Sequence, residues 1–315
     1  MKHKKNLLIG IKSQDFCFCK LEPLYVTGFA DGESFFTVNF SQKRSCKTGW
    51  SVTPVFGIGL HVRDISLLYK IQSFFGVGYI NISKTRDSAV YSVKSIKDLN
   101  NIIIPHFLQY PLITRKIADF LLFKMVVELM IKKEHLSMEG LMRIVSIKGS
   151  MNNGLTAQLN TAFPDTIPQE RPIVDRTEII NPNWLVGFTE GEGCFEVKIQ
   201  KSKTIKTGVQ VSLRFTLSQH SRDYELMSQL KKNLGCGHIY LQKTSVINFS
   251  VEKFPDIFDK IIPFFYKYPL QGTKVLDFKD FCKAASLMKN KAHLTTEGLK
   301  DIFKIKSEMN KKRKI

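Results

Sequence analysis

The feature that most constrains this chain is an internal repeat of domain length. Gly28-Phe29 recurs as Gly187-Phe188, Gly32-Glu33 as Gly191-Glu192, Arg63-Asp64 as Arg222-Asp223 and Gly76-Val77-Gly78 as Gly235-Cys236-Gly237, each pair 159 residues apart. Farther along, Ser92-Val93 matches Ser250-Val251, Tyr110-Pro111-Leu112 matches Tyr268-Pro269-Leu270, Glu139-Gly140-Leu141 matches Glu297-Gly298-Leu299, and Met151-Asn152 matches Met309-Asn310, now 158 apart. A single-residue deletion in the second copy, relative to the interval Ile80 to Tyr91 of the first, accounts for the slip. Two homologous units are therefore expected, at 24–152 and 183–310. At 315 residues the chain has room for about two domains of ordinary size, so the repeat uses nearly all of it. Outside the units lie an N-terminal extension at 1–23, a linker at 153–182 carrying Pro164, Pro168 and Pro172, and a basic tail at 311–315, expected to be solvated and to attract phosphates.

Each unit reads as a short glycine-bearing helix, two strands, a helix ending at the Gly-x-Gly pair, two more strands, then helices over 112–131 and 136–148. The order is αββαββα with one additional helix, an α+β unit with a four-stranded antiparallel sheet. Period-two alternation supports the strands: Phe195, Val197 and Ile199 oppose Glu196, Lys198 and Gln200, and Val211, Leu213 and Phe215 oppose Gln210, Ser212, Arg214 and Thr216. In the first unit Phe36, Val38 and Phe40 oppose Thr37, Asn39 and Ser41, with Ser51 and Thr53 following on the next strand. The hairpins between these strands carry Lys43, Arg44, Lys201 and Lys203.

A solvated sheet face would show the same alternation. Charge favours a different use. The chain carries 47 Lys and Arg against 28 Asp and Glu, a net +19 on a sequence that is 43% apolar, which implies a folded protein with a polyanionic partner. No run approaches the length of a membrane span, and the short apolar Leu7 to Ile11 segment has neither a signal-peptide cleavage site nor transit-peptide character. Six cysteines fall in no metal-ligand spacing and read as reduced thiols. Two related sheets about a pseudo-dyad make a long concave surface suited to a duplex, on which Arg, Gln, Asn and Ser can meet base edges while Lys meets phosphate.

The most specific signal is the segment from Leu24 to Phe36, Leu-Tyr-Val-Thr-Gly-Phe-Ala-Asp-Gly-Glu-Ser-Phe-Phe, and its echo Trp-Leu-Val-Gly-Phe-Thr-Glu-Gly-Glu-Gly-Cys-Phe from Trp184 to Phe195. Glycines four apart, Gly28 with Gly32 and Gly187 with Gly191, share one helix face. Each costs up to about 1 kcal/mol against alanine, and close helix-to-helix approach through Gly28 and Gly187 is the reason such a cost would be borne. That packing brings Glu33 and Glu192 together at the negative ends of two helix dipoles, an arrangement that calls for a cation. Asp31 and Glu190 lie about 200° of helix rotation away from Glu33 and Glu192 and cannot face the same point. Acids that cap or solvate surface turns remain the alternative.

Both segments resemble the signature of the LAGLIDADG homing endonucleases in their single-chain, two-motif form, and within that family they are most similar to proteins encoded in fungal mitochondrial introns. The abundance of Lys, Ile, Asn and Phe fits such an AT-rich organellar source and a mitochondrial location. The resemblance implies two αββαββα halves forming a saddle on a long, pseudo-palindromic double-stranded DNA target, acting as a monomer. It implies cleavage of both strands across the minor groove, leaving short 3′ overhangs and promoting intron homing. Glu33 and Glu192 would hold Mg²⁺ with the carbonyls of Gly32 and Gly191, with Mn²⁺ able to substitute and Ca²⁺ expected to bind without cleavage. The first motif departs from the pattern in having Ser34 where Gly193 stands in the second. The family's water-ordering polar residue falls at Gln219, whose first-unit equivalent is Leu60, and its supporting lysine is expected at Lys94, opposite Glu252. Competing readings are an RNA maturase that binds the host intron, alone or alongside cleavage, and a DNA-binding regulator without chemistry. Retention of both acids argues against the purely binding readings, because each carries a burial and repulsion cost when no metal is present.

Overall fold

The computed structural model describes residues 21–83, 85–174, 180–242 and 245–313. Most of the N-terminal extension with Cys17 and Cys19, residues 175–179 of the linker and the last two residues of the tail lie outside them. The first motif helix, α1 (Pro23–Glu33), runs directly into the strand β1 (Ser34–Gln42), which pairs antiparallel with β2 (Trp50–His61). Helix α2 (Ile65–Phe75) ends on Gly76 at φ 69°, a left-handed cap that glycine adopts without Cβ strain. β3 (Tyr79–Ile82) and β4 (Ser88–Val93) complete a sheet of order β1-β2-β4-β3.

The next segment is helical, whereas the sequence pattern placed no helix between the fourth strand and residue 112. α3 (Ile96–Asp98) passes through a π-helical turn (Leu99–Ile103) into α4 (Ile104–Gln109). Pro105 hid it, because a proline has no N–H to donate and its ring collides with the carbonyl four residues back. The widened turn immediately before α4 accommodates that proline. Helix α5 (Lys116–Ile131) then packs on β1 and β2, α6 (Met138–Gly149) packs on α5, and α7 (Ala157–Ala162) lies in the linker.

The second unit repeats this order: α8 (Pro182–Glu192), β5 (Gly193–Lys201), β6 (Val209–His220), α9 (Tyr224–Leu234), β7 (His238–Leu241) and β8 (Val246–Val251). Its helices α10 (Phe254–Asp256), α11 (Ile262–Lys267), α12 (Lys274–Lys289) and α13 (Thr296–Ser307) follow, with the same π-helical turn at Ile257–Ile261. Its sheet order is β5-β6-β8-β7. The inferred deletion falls between β7 and β8, where four residues replace the five between β3 and β4. Phe36 and Phe195 occupy equivalent core positions, each 1% exposed or less and ringed by phenylalanines of strand and helix. Among the described residues no helix is long and apolar enough to cross a membrane.

The repeated Arg-Asp pair joins the halves. Asp223 accepts the backbone N–H of Arg115 at 2.7 Å, and Asp64 accepts the hydroxyl of Thr273 at the equivalent place. The tail departs from the solvated expectation. Arg313 donates to Asp277 at 2.8 Å and also reaches Asp280, leaving its side chain 15% exposed, because both carboxylates lie on the buried side of α12 and need a partner. The linker does the same for the first unit, where Arg171 grips Asp119 with two bonds of 2.9 and 2.8 Å.

Candidate active site

The two motif helices cross with their backbones in contact. A Cβ placed on Gly28 would stand 2.0 Å from the carbonyl oxygen of Trp184, and one on Gly187 would stand 2.0 Å from that of Tyr25. No side chain fits at either position. One turn later the approach eases: a Cβ on Gly191 would lie 3.1 Å from Cγ of Glu33, and one on Gly32 would lie 3.4 Å from Cγ of Glu192. Each terminal acid therefore rests against the glycine that precedes the other. Ser34 fits where the second unit requires glycine because its neighbour differs. A Cβ on Gly193 would meet Thr189, whereas the first unit has Ala30, whose carbonyl accepts the Ser34 hydroxyl at 2.6 Å.

Asp31 and Glu190 point elsewhere and have a structural task. Asp31 accepts the backbone N–H groups of Ile113 and Thr114 and the Thr114 hydroxyl, holding the turn that opens α5. Glu190 accepts the N–H of Gln271 at 2.8 Å ahead of α12. Both are raised above the ordinary carboxylate range by burial, against the pull of these hydrogen bonds.

Those turns deliver two cations that the sequence reading missed. Lys116, at the start of α5, donates to the carbonyls of Ala30 (2.9 Å) and Gly32 (3.1 Å). Lys274, at the start of α12, donates to those of Gly191 (3.2 Å) and Gly193 (2.5 Å). Both are lowered by burial, an effect opposed first by Asp31 for Lys116 and by Glu190 for Lys274, and then by Glu33 and Glu192. Lys94 is not at this site. It leaves the end of β4 with its ammonium over the ring of Tyr79, 5.2 Å from the centroid, so the supporting lysine must be reassigned. The spacing contained the signal: Lys116 and Lys274 are 158 apart, in register with the repeat, while Lys94 is matched by Glu252.

Burial raises both terminal acids. Glu192 is pushed up to about 7, by desolvation first and by the charge of Glu33 second, with Lys116 and Lys274 opposing. Glu33 is raised by burial and lowered by the same two lysines. The donors gathered here are carboxylate and carbonyl oxygens, the hard ligands that suit Mg²⁺ or Ca²⁺. Among the described residues no group of three or more His, Cys, Asp or Glu is placed to hold a metal, and the acids at this place are the pair Glu33 and Glu192. Mg²⁺ is commonly held beside phosphates by so few carboxylates. The residues fit the cation.

The surroundings of the two acids differ. A cleft of about 510 Å³ beside Glu33 is lined by Leu60, His61, Arg63, Asp64 and Lys274. A separate cavity of about 40 Å³, lined by Arg115, Val174, Arg222 and Asp223, lies at the contact between the halves and does not reach Glu192. Gln219, at the end of β6, accepts the N–H of His220 at 2.9 Å, which fixes its carboxamide at the strand end.

Thr37, Asn39, Ser41, Ser51 and Thr53 alternate with core residues on β1 and β2, and Asn39 and Ser41 are paired with Thr53 and Ser51 across the strands. In the second sheet Lys198 pairs with Ser212 and Gln200 with Gln210. Lys43, Arg44, Lys201 and Lys203 are exposed around the hairpins. Arg214, expected to meet bases, is ion-paired with Glu196 at 2.9 Å and lies 3.8 Å from Glu252.

A family model described as LAGLIDADG endonuclease matches the chain twice, over residues 26–127 and 185–285. Two curated relatives from Neurospora crassa are similar. Probable intron-encoded endonuclease 3 is 40% identical across 90% of this chain and 53% of its own length, and probable intron-encoded endonuclease 2 is 38% identical across 92% and 65%. The chain thus spans between about half and two thirds of these relatives. Among solved structures, the I-SmaMI LAGLIDADG homing endonuclease bound to cleaved DNA is 43% identical with a TM-score of 0.91, over 94% of this chain and 99% of that one. The same protein has been solved on uncleaved DNA target in the presence of calcium ions, at a TM-score of 0.90.

Proposed function

Since the chain belongs to the LAGLIDADG endonuclease family, we propose that it is a site-specific endonuclease that cuts both strands of a long DNA target. The observation that carries this reading is the pair Glu33 and Glu192, each packed on the other's glycine, with Lys116 and Lys274 beside them. The two sheets are its DNA-binding faces and lie in the major groove on either side of the acids. The two carboxylates, with the carbonyls of Gly32 and Gly191 that also accept from Lys116 and Lys274, would hold Mg²⁺, with Mn²⁺ as a substitute. A divalent ion bound there would supply Lewis acidity, acidifying an attacking water and stabilising a leaving oxygen.

The protein's own groups set the geometry. The helix crossing at Gly28 and Gly187 fixes the separation of the acids, and Asp31 and Glu190 fix the turns that aim the lysines. Lys116 and Lys274 lower the protonation tendency of both acids and add positive charge where a cleaved phosphate would gather negative charge. Gln219 orders water in one half, where Leu60 cannot in the other, so the two strands are cut at unequal rates. Both motif helices come from one chain, so a monomer completes the site. The intron-encoded relatives support an origin in a fungal mitochondrial intron and action in the mitochondrion.

The test is cleavage and binding measured on one duplex, selected from a randomised library with Mg²⁺. Glu33→Gln or Glu192→Gln abolishes double-strand cutting while affinity stays within about tenfold, because binding rests on phosphate contacts spread over both sheets. Full cutting by either variant removes the acids from this role.

A further inference from the structure

The two groove-facing sheet surfaces, alike by ancestry, have opposite chemistry in the rows nearest the acids. In the first sheet the innermost row crosses the strands as Phe35, Gly57, Ser92 and Tyr79. In the second, the equivalent row is Cys194, Thr216, Ser250 and His238. The next position outward on the central strand is Val55 in the first sheet, opposite Thr37, and Arg214 in the second, opposite Glu196. The next position inward is Gly59 beside Val90 in the first sheet and Ser218 beside Asn248 in the second.

On the second sheet the half-buried polar groups Thr216, Ser218 and Arg214 face outward, the first two resting on the buried Ser250 and Asn248. Ser218 donates to Asn248 at 2.6 Å, Thr216 and Ser250 share a hydroxyl contact, and Arg214 is held by Glu196. The first sheet has an aromatic ring instead. Phe35, two residues past Glu33, lies across β2 with its tip over Gly57, where a Cβ would meet Cζ at 2.3 Å. Only the missing side chain of Gly57 lets the ring lie flat. Phe35 remains 36% exposed and Tyr79, at the other end of the row, 44% exposed, with the Lys94 ammonium above it. An exposed apolar tile has nothing to offer a donor or an acceptor, and the one apolar feature of the major groove is the 5-methyl group of thymine.

We propose that Phe35 recognises a thymine methyl group at the inner end, nearest the acids, of the half-site covered by the first sheet. The second sheet reads its half-site through hydrogen bonds. This rests on the reading that the sheets lie in the major groove of DNA. It gives Phe35 a specificity role distinct from the chemistry at Glu33. It also makes the target unequal in its two halves: thymine is selected by its methyl on one side and base edges are selected on the other.

Substitution of deoxyuridine for thymine removes the methyl group and nothing else. The probe is the tightest duplex recovered from a randomised library by the full chain in Ca²⁺, resynthesised with each thymine in turn replaced by deoxyuridine. One or two positions at the inner end of one half-site lose about fourfold in Kd, the value of one buried carbon. Phe35→Ser abolishes that loss, whereas Cys194→Ser leaves it intact, and thermal melts establish that both variants fold. Arg214→Ala, which relaxes base preference in the other half-site, identifies the half covered by each sheet. Uridine tolerated throughout, or a uridine penalty that persists in Phe35→Ser, overturns the proposal. Uridine discrimination without cutting in Mg²⁺ supports it while removing the nuclease reading. A library that returns no bound duplex removes both.

Discussion

The indole N–H of Trp184 donates to the carboxylate of Asp31 at 2.8 Å, joining one motif helix to the buried acid of the other. The phenol of Tyr25, the equivalent of Trp184 by the repeat, returns the bond to Glu190 at 3.0 Å. Burial holds that phenol well above its ordinary pKa, so it remains a donor across the working pH range. These reciprocal bonds fasten the halves at the level where the lysine-bearing turns are set.

Tyr25→Phe should cost about 1–3 kcal/mol of stability, the penalty for removing one partner of a buried carboxylate. Trp184→Phe should cost a similar amount plus lost ring packing on Phe188, 4.7 Å away. Urea denaturation measures both, and the double variant should lose close to the sum, because the bonds are separate. A loss below about 0.5 kcal/mol for Tyr25→Phe would mean that the remaining donors to Glu190 suffice.

Glu192 predicts a pH effect of definite sign. Its pKa is raised from 4.5 to about 7, so the folded chain holds that proton more tightly than the unfolded chain does. Its contribution to stability is therefore greatest at low pH and falls as pH rises through that interval. In metal-free buffer Glu192→Gln should gain thermal stability over the parent at pH 8 and gain less at pH 5, at roughly 2–4 °C per kcal/mol for a protein of this size class. Scanning calorimetry at the two pH values decides it. Equal offsets would show that the acid titrates normally.

Lys116→Met and Lys274→Met should each slow cleavage at least about tenfold while leaving the Kd for DNA within a few-fold, because the ammonium groups are buried beside the acids rather than spread on the binding face. With the strands end-labelled separately, each variant should slow one strand more than the other and accumulate nicked duplex. The parent should already cut unequally, given Gln219 opposite Leu60. Identical slowing of both strands by either variant would contradict the assignment of one lysine to each half.

Arg313→Ala should destabilise the second half by about 1–3 kcal/mol, since Asp277 would lose its cation while Asp280 keeps Lys283 at 2.8 Å. Lys311→Ala and Lys312→Ala, both exposed, should change stability by less than about 0.5 kcal/mol. Thermal melts separate the two classes. A tail that serves only to attract phosphates would give three equal and negligible effects.

The sequence by itself determined what local chemistry and repetition can determine. The duplication, the glycine-faced helices, the terminal acids Glu33 and Glu192 and the alternating strands follow from residue spacing, because helix and strand periods act over a few positions. The tertiary structure decided what depends on groups far apart in the chain. Lys116 reaches Gly32 from 84 residues away, and Lys274 reaches Gly191 from 83, by way of turns that Asp31 and Glu190 hold in place. Lys94 was expected in their place, because a strand position gives no indication of which side chain folds back toward a helix end. Arg171 and Arg313 fill equivalent carboxylate slots from segments that are not equivalent in sequence, so no self-comparison could pair them. The helix through Pro105 was hidden by a local rule that a π-helical turn circumvents. Phe35 appeared to be one more apolar residue until the sheet register laid it over Gly57, since exposure belongs to the assembled surface and not to the residue.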